Sequence, residues 1–211
     1  IVPIGVVEQH GYHLPLCTDI VHAQELARLA SEATGCFVAP PVHYSFSGGT
    51  LPGTINISPE TVAQVLKDIL ASLADQDFQN MILLLGHCGS ENTQAAKTAA
   101  ENFLKMHPLG AKTNVLVVPF FLLSATYQGA FDEGDYHAGR YETSMMLHWR
   151  PEWVHMDRAV LDAPEDLKRA AEEGKPQAPG GLAGKYAIPR MKYPPSIKVG
   201  VSGDFHGSNE E

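Results

Sequence analysis

Met81-Ile-Leu-Leu-Leu85 is the segment that most limits what this chain can fold into. A continuous apolar run of strand length, stopped by Gly86, presents apolar side chains on both faces. Both faces then need cover, which is the situation of a central strand in a parallel sheet flanked by helices. Ile1–Val7, Cys36–Pro40, Val115–Phe121 and Ser196–Val201 read as further strands.

Between them lie helical patterns. Thr18 or Asp19 caps one helix, with Val21, Leu26, Leu29 and Ala30 on one face and Gly35 as its stop. Ser58-Pro59-Glu60 is a complete helix start: a cap, a proline at the first position and an acid in the first turn. Val62, Val65, Leu66, Ile69, Leu70 and Leu73 then form its apolar stripe. Residues 91–105 make another amphipathic helix, and Glu142–Trp149 a further one ended by Pro151. The alternation predicts an α/β fold: a three-layer α/β/α sandwich with a mostly parallel central sheet. The 211 residues suit one domain, 1–211, with a full core. Residues 164–196 concentrate proline and glycine and read as an irregular surface excursion. Both termini read as truncated, since Ile1 lies within a strand and Glu211 stops where a helix is due.

Composition narrows the partners. The net charge of −9 argues against nucleic acid or an anionic membrane surface. No apolar run approaches the roughly 20 residues of a membrane span. The cysteines are Cys17, Cys36 and Cys88, an odd number without a CxxC pair. That pattern fits a reducing cytoplasm better than a disulfide framework. No GxGxxG, P-loop or GxSxG pattern is present.

Chemistry-bearing residues cluster where such sheets carry sites, just past the strand ends. The first cluster is Glu8, His10, His13 and Asp19; the second is His87; the third is Asp135-Tyr-His137-Ala-Gly-Arg-Tyr-Glu142. Glu, His and Asp are ligands for borderline and hard divalent metals. Glu8 and His10 are two residues apart, so an extended segment points both the same way. Asp19 at a helix start can bridge two metals through its two oxygens, and His87 can cap the first. Two ions roughly 3.5–4 Å apart activate water and polarise a carbonyl. His137 then sits across the crevice to move a proton, with Glu142 to orient it. Glu142 also has a plain reading as a solvated or capping residue. Cys88, Glu133 and Asp135 are the candidate substrate contacts. His22, His107, His148, His155 and His206 read as ordinary histidines, and Thr54 with Gly48-Gly49 as loop-shaping residues.

At these positions the chain resembles the creatininase (creatinine amidohydrolase) family. The matching pieces are Pro3-Ile-Gly-Val-Val-Glu-Gln-His-Gly-Tyr-His-Leu-Pro-Leu-Cys-Thr-Asp19, Leu51-Pro-Gly-Thr54, Gly86-His-Cys-Gly89, His137-Ala-Gly-Arg-Tyr-Glu-Thr-Ser144 and Gly200-Val-Ser-Gly-Asp204. The resemblance implies an α/β/α fold, often hexameric, with two divalent metals (zinc, manganese or iron). It implies Glu8, Asp19 and His87 on one metal, and His10 and Asp19 on the other. It implies His137 as the proton-transfer histidine and Glu142 as its carboxylate partner.

Two departures stand out. Gly89 occupies the place of a second-metal glutamate, and Glu133 that of a tryptophan that closes on creatinine. Both argue against creatinine as substrate, and the loss of that glutamate leaves the second metal to bind weakly, or to take Glu142 or water instead. The expected protein is therefore a metal-dependent amidohydrolase of a small molecule, cytoplasmic and homo-oligomeric. One alternative is a hydrolase or lyase of a keto-inositol or other carbohydrate-like ring. Another is a non-enzymatic, metal-stabilised, ligand-binding oligomer.

Overall fold

The computed structural model describes residues 1–173 and 196–209. In chain order the main elements are β1 (Val2–Ile4), α1 (Thr18–Thr34), α2 (Pro59–Ala74), β2 (Asn80–Leu85), α3 (Ser90–Met106), β3 (Asn114–Pro119), α4 (Ala125–Asp132), α5 (Arg140–Trp149) and α6 (Pro164–Glu173). The strands form one sheet in the order β1-β2-β3, both pairings parallel.

β2 explains the layering. Met81, Leu83 and Leu85 join Val2 and Ile4 in the core beneath α2 and α3. Ile82 and Leu84 point the other way, onto Ala27 of α1 and Phe120. Period-two alternation in one apolar strand thus supplies both cores of an α/β/α sandwich. On the α2–α3 side, Leu66, Leu70 and Phe103 are fully buried, and Ala95, Ala96, Ala99 and Ala100 let the helices approach closely.

Local signals act as expected at several ends. Ser58 accepts the Thr61 N–H at 3.4 Å, and Pro59 opens α2. Gly35 closes α1 in the left-handed conformation at φ 71°, its N–H returning to the Ser31 carbonyl.

Other readings are corrected. Cys36–Pro40 is not a strand; the segment meets the chain around β1 through the Ile1 amino group to Phe37 O, Ala39 N–H to Ile1 O, Val42 N–H to Pro3 O, Gly5 N–H to Val42 O and one parallel bridge, Ile4 to Val42. Ser196–Val201 is likewise no strand, and a single antiparallel bridge joins Ser202 to His137. Leu29 and Val65 are exposed, because α1 and α2 turn neighbouring positions inward. Leu116 is also exposed, as β3 has strand neighbours on one side only among the described residues. The excursion read from 164 begins as α6, and 174–195 lie outside the described residues. α4 had no counterpart in the sequence reading. No helix among the described residues is long and apolar enough to cross a membrane.

Candidate metal centre

The centre forms where β1 and β2 end. Beyond β1 the chain carries Glu8 and His10; beyond β2 it turns at Gly86 into His87. Asp19 lies in the first turn of α1, where a carboxylate complements the helix dipole. The first turn of α1 rests directly on the strand ends. A Cβ on Gly86 would lie 1.9 Å from the Asp19 carbonyl oxygen, and one on Gly5 2.5 Å from the Ile20 Cα. No larger residue fits, so these glycines let Asp19 and His87 meet.

The resulting contacts divide around Asp19. Its Oδ2 lies 3.3 Å from His87 Nδ1, which is also 3.0 Å from Glu8 Oε2. Its Oδ1 lies 3.4 Å from His10 Nε2, which is also 3.6 Å from Glu142 Oε2. Glu8–Asp19–His87 and His10–Asp19–Glu142 are thus two ligand groups sharing one carboxylate, each with donor atoms mutually within 4.8 Å. A third grouping of the same size is Glu8–His10–His137.

The supporting contacts leave the right atoms free. Ser47 Oγ donates to Glu8 Oε1 at 2.5 Å, while Glu8 Oε2 makes no hydrogen bond. His10 Nδ1 donates to the Glu8 carbonyl at 3.1 Å, which leaves a lone pair on the buried, unbonded Nε2. Asp19 Oδ2 is buried and unbonded as well. Orphaned acceptors of this kind are costly unless something positive sits between them. Carboxylate oxygens and imidazole nitrogens are the donor set for zinc, manganese or iron, so the residues present fit divalent ions.

Electrostatics tells the same story. Burial alone would raise the Glu8 carboxyl, but the facing His87 imidazole draws it down to about 2. Burial would likewise raise Asp19, and His10 and His87 together hold it far below the usual carboxylate range. Burial opposes charge on His10, yet Asp19 and then Glu142 lift it to about 10. His87 is raised for the same reason by Glu8 and Asp19. Glu142 is pushed up to about 7 by burial, against the pull of His10. Protons on these imidazoles balance three crowded carboxylates, a role divalent cations take over when bound.

His137 stands at the edge of this centre, its ring centroid 4.3 Å from that of His10. Its Nε2 donates to the Gln9 carbonyl at 2.7 Å, which leaves Nδ1 as the lone-pair nitrogen. Burial and the neighbouring His10 lower it to about 4. The backbone then turns sharply: Ala138 adopts φ 52°, rare for a side-chain-bearing residue, and donates its N–H to Glu142 Oε2 at 2.6 Å. The structure therefore brings Glu142 to His10 and the Ala138 amide rather than behind the His137 ring.

The remaining candidates lie around this set. Cys88 packs among Leu84, Phe120 and Tyr127, and burial raises its thiol, as for a small core hydrophobe. Glu133 is exposed and pairs with Arg140 at 2.7 Å. Asp135 accepts the Tyr141 N–H at 3.1 Å, at the start of α5. His13 is buried but turned away: its Nε2 meets Thr143 Oγ1 at 3.1 Å and its ring packs on Phe205. Thr54 Oγ1 accepts the Gln9 N–H at 3.1 Å, and Asn56 ties Ser47, Gly48 and Gly49 together.

Sequence reasoning missed Ser47, Gln9 and His22. Ser47 and Gln9 act through one hydroxyl and one backbone carbonyl, which no spacing rule marks. His22, read as ordinary, is fully buried beside Phe120 and Trp149, with neither ring nitrogen hydrogen-bonded. Its position one helical turn after Asp19 was the available signal.

The family model for creatininase, creatinine amidohydrolase, matches residues 1–211. Creatinine amidohydrolase of Pseudomonas putida is 26% identical over 230 residues, covering 99% of this chain and 88% of that protein. Mycofactocin precursor peptide peptidase of Mycolicibacterium smegmatis is 33% identical over 168 residues, covering 76% of this chain and 61% of the peptidase. Among solved structures, a mutant creatininase of the Zn-Zn type shares 23% identity and superposes with a TM-score of 0.73, covering 99% of this chain and 80% of that one.

Proposed function

Because the chain belongs to the creatininase family of hydrolases, we propose that it is a metal-dependent amidohydrolase cleaving the C–N bond of an amide or cyclic amide. The observation that carries this reading is the division of Asp19, one oxygen towards His87 and the other towards His10. Glu8, Asp19 and His87 would hold one ion, and His10, Asp19 and Glu142 the other. Divalent ions bound there would supply Lewis acidity to a carbonyl oxygen and to water.

The protein's own residues do the rest. Ser47 and the Glu8 carbonyl fix the first-strand ligands in orientation, sparing rearrangement at the moment of reaction. The Gln9 carbonyl holds His137 with its proton on Nε2. Nδ1 then accepts a proton from the attacking water and returns it to the leaving nitrogen as the C–N bond breaks. Burial keeps the imidazole neutral beforehand, as a base must be.

Glu142 takes the second-ion role in place of residue 89. A Cβ on Gly89 would lie 2.5 Å from His87 Nε2, so a side chain there displaces the first-site histidine. A different carboxylate at the second ion, with Glu133 on the rim, favours an amide other than creatinine.

The test is metal content per chain after reconstitution, paired with a panel of formamides, cyclic amides, short peptides and keto-inositol rings. Two ions are expected in the wild type, none in Asp19→Ala, and one in Glu142→Gln. One ion or none in the reconstituted wild type rejects the shared-carboxylate reading. Turnover of a keto-inositol with no amide cleaved rejects the amidohydrolase reading while leaving the metal centre in place.

A further inference from the structure

The segment 198–205 contains none of the proposed ligands, yet it supports His137, the proposed proton carrier of the site. Asp162 is buried and its carboxylate spans three consecutive backbone amides. Oδ1 accepts from Lys198 N–H at 2.7 Å and Val199 N–H at 3.1 Å; Oδ2 accepts from Val199 at 3.0 Å and Gly200 at 2.7 Å. An anion in a nest of successive N–H groups is among the stronger ways to fix a loop. Two residues on, Ser202 exchanges both backbone hydrogen bonds with His137, N–H to O at 2.8 Å and the reverse at 2.9 Å, and its carbonyl also accepts from Tyr136. Val199, Val201 and Phe205 pack into the cluster that contains Ala138 and Met146.

The backbone of His137 thus has few alternatives for support. It lies between the strained Ala138 and an exposed Tyr136, outside every named strand. The side chain is hydrogen-bonded to the Gln9 carbonyl and packs on the His10 ring. The main chain is fixed by Ser202, and Ser202 lies immediately beyond the stretch that Asp162 clamps.

We propose that Asp162 is a positioning residue for His137, acting through the 198–202 segment and not by contact with substrate or metal. Its catalytic consequence rests on the proton-transfer role assigned to His137 above; its structural consequence does not. Releasing the clamp lets the bridge at Ser202 open, and His137 drifts from the reacting atoms, while Glu8, His10 and His87, just beyond β1 and β2, Asp19 at the start of α1 and Glu142 on α5 keep their places.

The test uses the full chain, metal-reconstituted. In the wild type, hydrogen exchange should show the amides of Lys198, Val199, Gly200, Ser202 and His137 opening as one unit, less protected than β2 and α3. Asp162→Asn should raise exchange at His137 and Ser202 about tenfold or more, leave α2 and α3 unchanged, and leave metal content per chain unchanged. With an active substrate, kcat should fall about tenfold or more and KM move less than about twofold, as for a misplaced proton carrier. A uniform rise in exchange across the molecule overturns the proposal, since Asp162 then only stabilises the fold. So does unchanged exchange at His137. If Asp162→Asn fails to fold, the wild-type measurement still decides: separate protection for 198–200 and for His137 with Ser202 also overturns it. If the exchange results hold and no substrate in the panel turns over, the amidohydrolase reading fails and the positioning of the His137 backbone stands.

Discussion

The two helical layers of this sandwich do different work. On the α2–α3 side, nearly every buried side chain is apolar or small, from Val62, Leu66 and Leu70 to Ala96, Ala99 and Phe103. On the other side, α1 buries Thr18, Asp19, His22 and Glu25, and Glu25 takes the partly exposed Arg150, after α5, and Arg28 as its partners. The first layer can be stable without chemistry. The second accepts the cost of desolvated charge and repays it with partners, or with bound cations. The difference teaches that stability and reactivity are housed on opposite faces of one strand, β2.

Gly86→Ala should break that division most severely. The added methyl meets the Asp19 carbonyl at 1.9 Å, so α1 must shift off the sheet. Loss of both ions together with a stability loss of about 3 kcal/mol or more is expected, read by metal analysis and urea denaturation. A variant that binds two ions with normal stability would show that α1 is not seated by this contact. His137→Ala should damage only the reactive side: turnover falls about 10²–10⁴-fold while both ions remain. Ion loss in this variant would instead make His137 a ligand, through its grouping with Glu8 and His10.

Leu66→Ala should damage only the apolar side. A cost of about 2–5 kcal/mol in stability is expected, with kcat unchanged for the folded fraction. A change in kcat would mean the layers communicate through β2. The smallest effect concerns pH. Burial lowers His13 to about 4 in the folded state, below its ordinary value of 6.5. The unfolded chain therefore binds more protons between those values, and this contribution to stability is lost as pH falls from 6.5 through 4. His13→Asn should flatten the stability–pH slope in that window by up to one proton; an unchanged slope would mean His13 is solvated.

What the sequence disclosed follows from how local each signal is. The apolar run 81–85, the Ser58-Pro59 start and the Gly35 stop are local, and each sits where expected. Glu8, His10 and Asp19 were legible because they crowd one strand-to-helix connection. His87 was legible because a glycine turn follows a buried strand. The rest depends on distant partners. Cys36–Pro40 and Ser196–Val201 have strand-like composition but no ladder of backbone hydrogen bonds to a neighbouring strand, and the amides of 198–200 go to Asp162 instead, so neither forms a strand. The place of Glu142 depends on the left-handed turn at Ala138, which residue types do not announce. The Ser47 hydroxyl and the Asp162 carboxylate act on groups 39 and 36–38 residues away.

The parallel register has a consequence in time. β1 pairs residue 2 with residue 83, so the sheet cannot close until most of α1, α2 and the loop between them has been gathered in. Glu8, His10 and Asp19 can meet an ion in a largely disordered chain, whereas His87 arrives only with β2, and Glu142 only with α5. Contacts that span such long stretches of sequence form slowly. A chain that forms local contacts first would bring Glu8, His10 and Asp19 together before His87 and Glu142 join them. A metal present during refolding would bind those three residues early, and hold one wall of the crevice in place while the other is still being built.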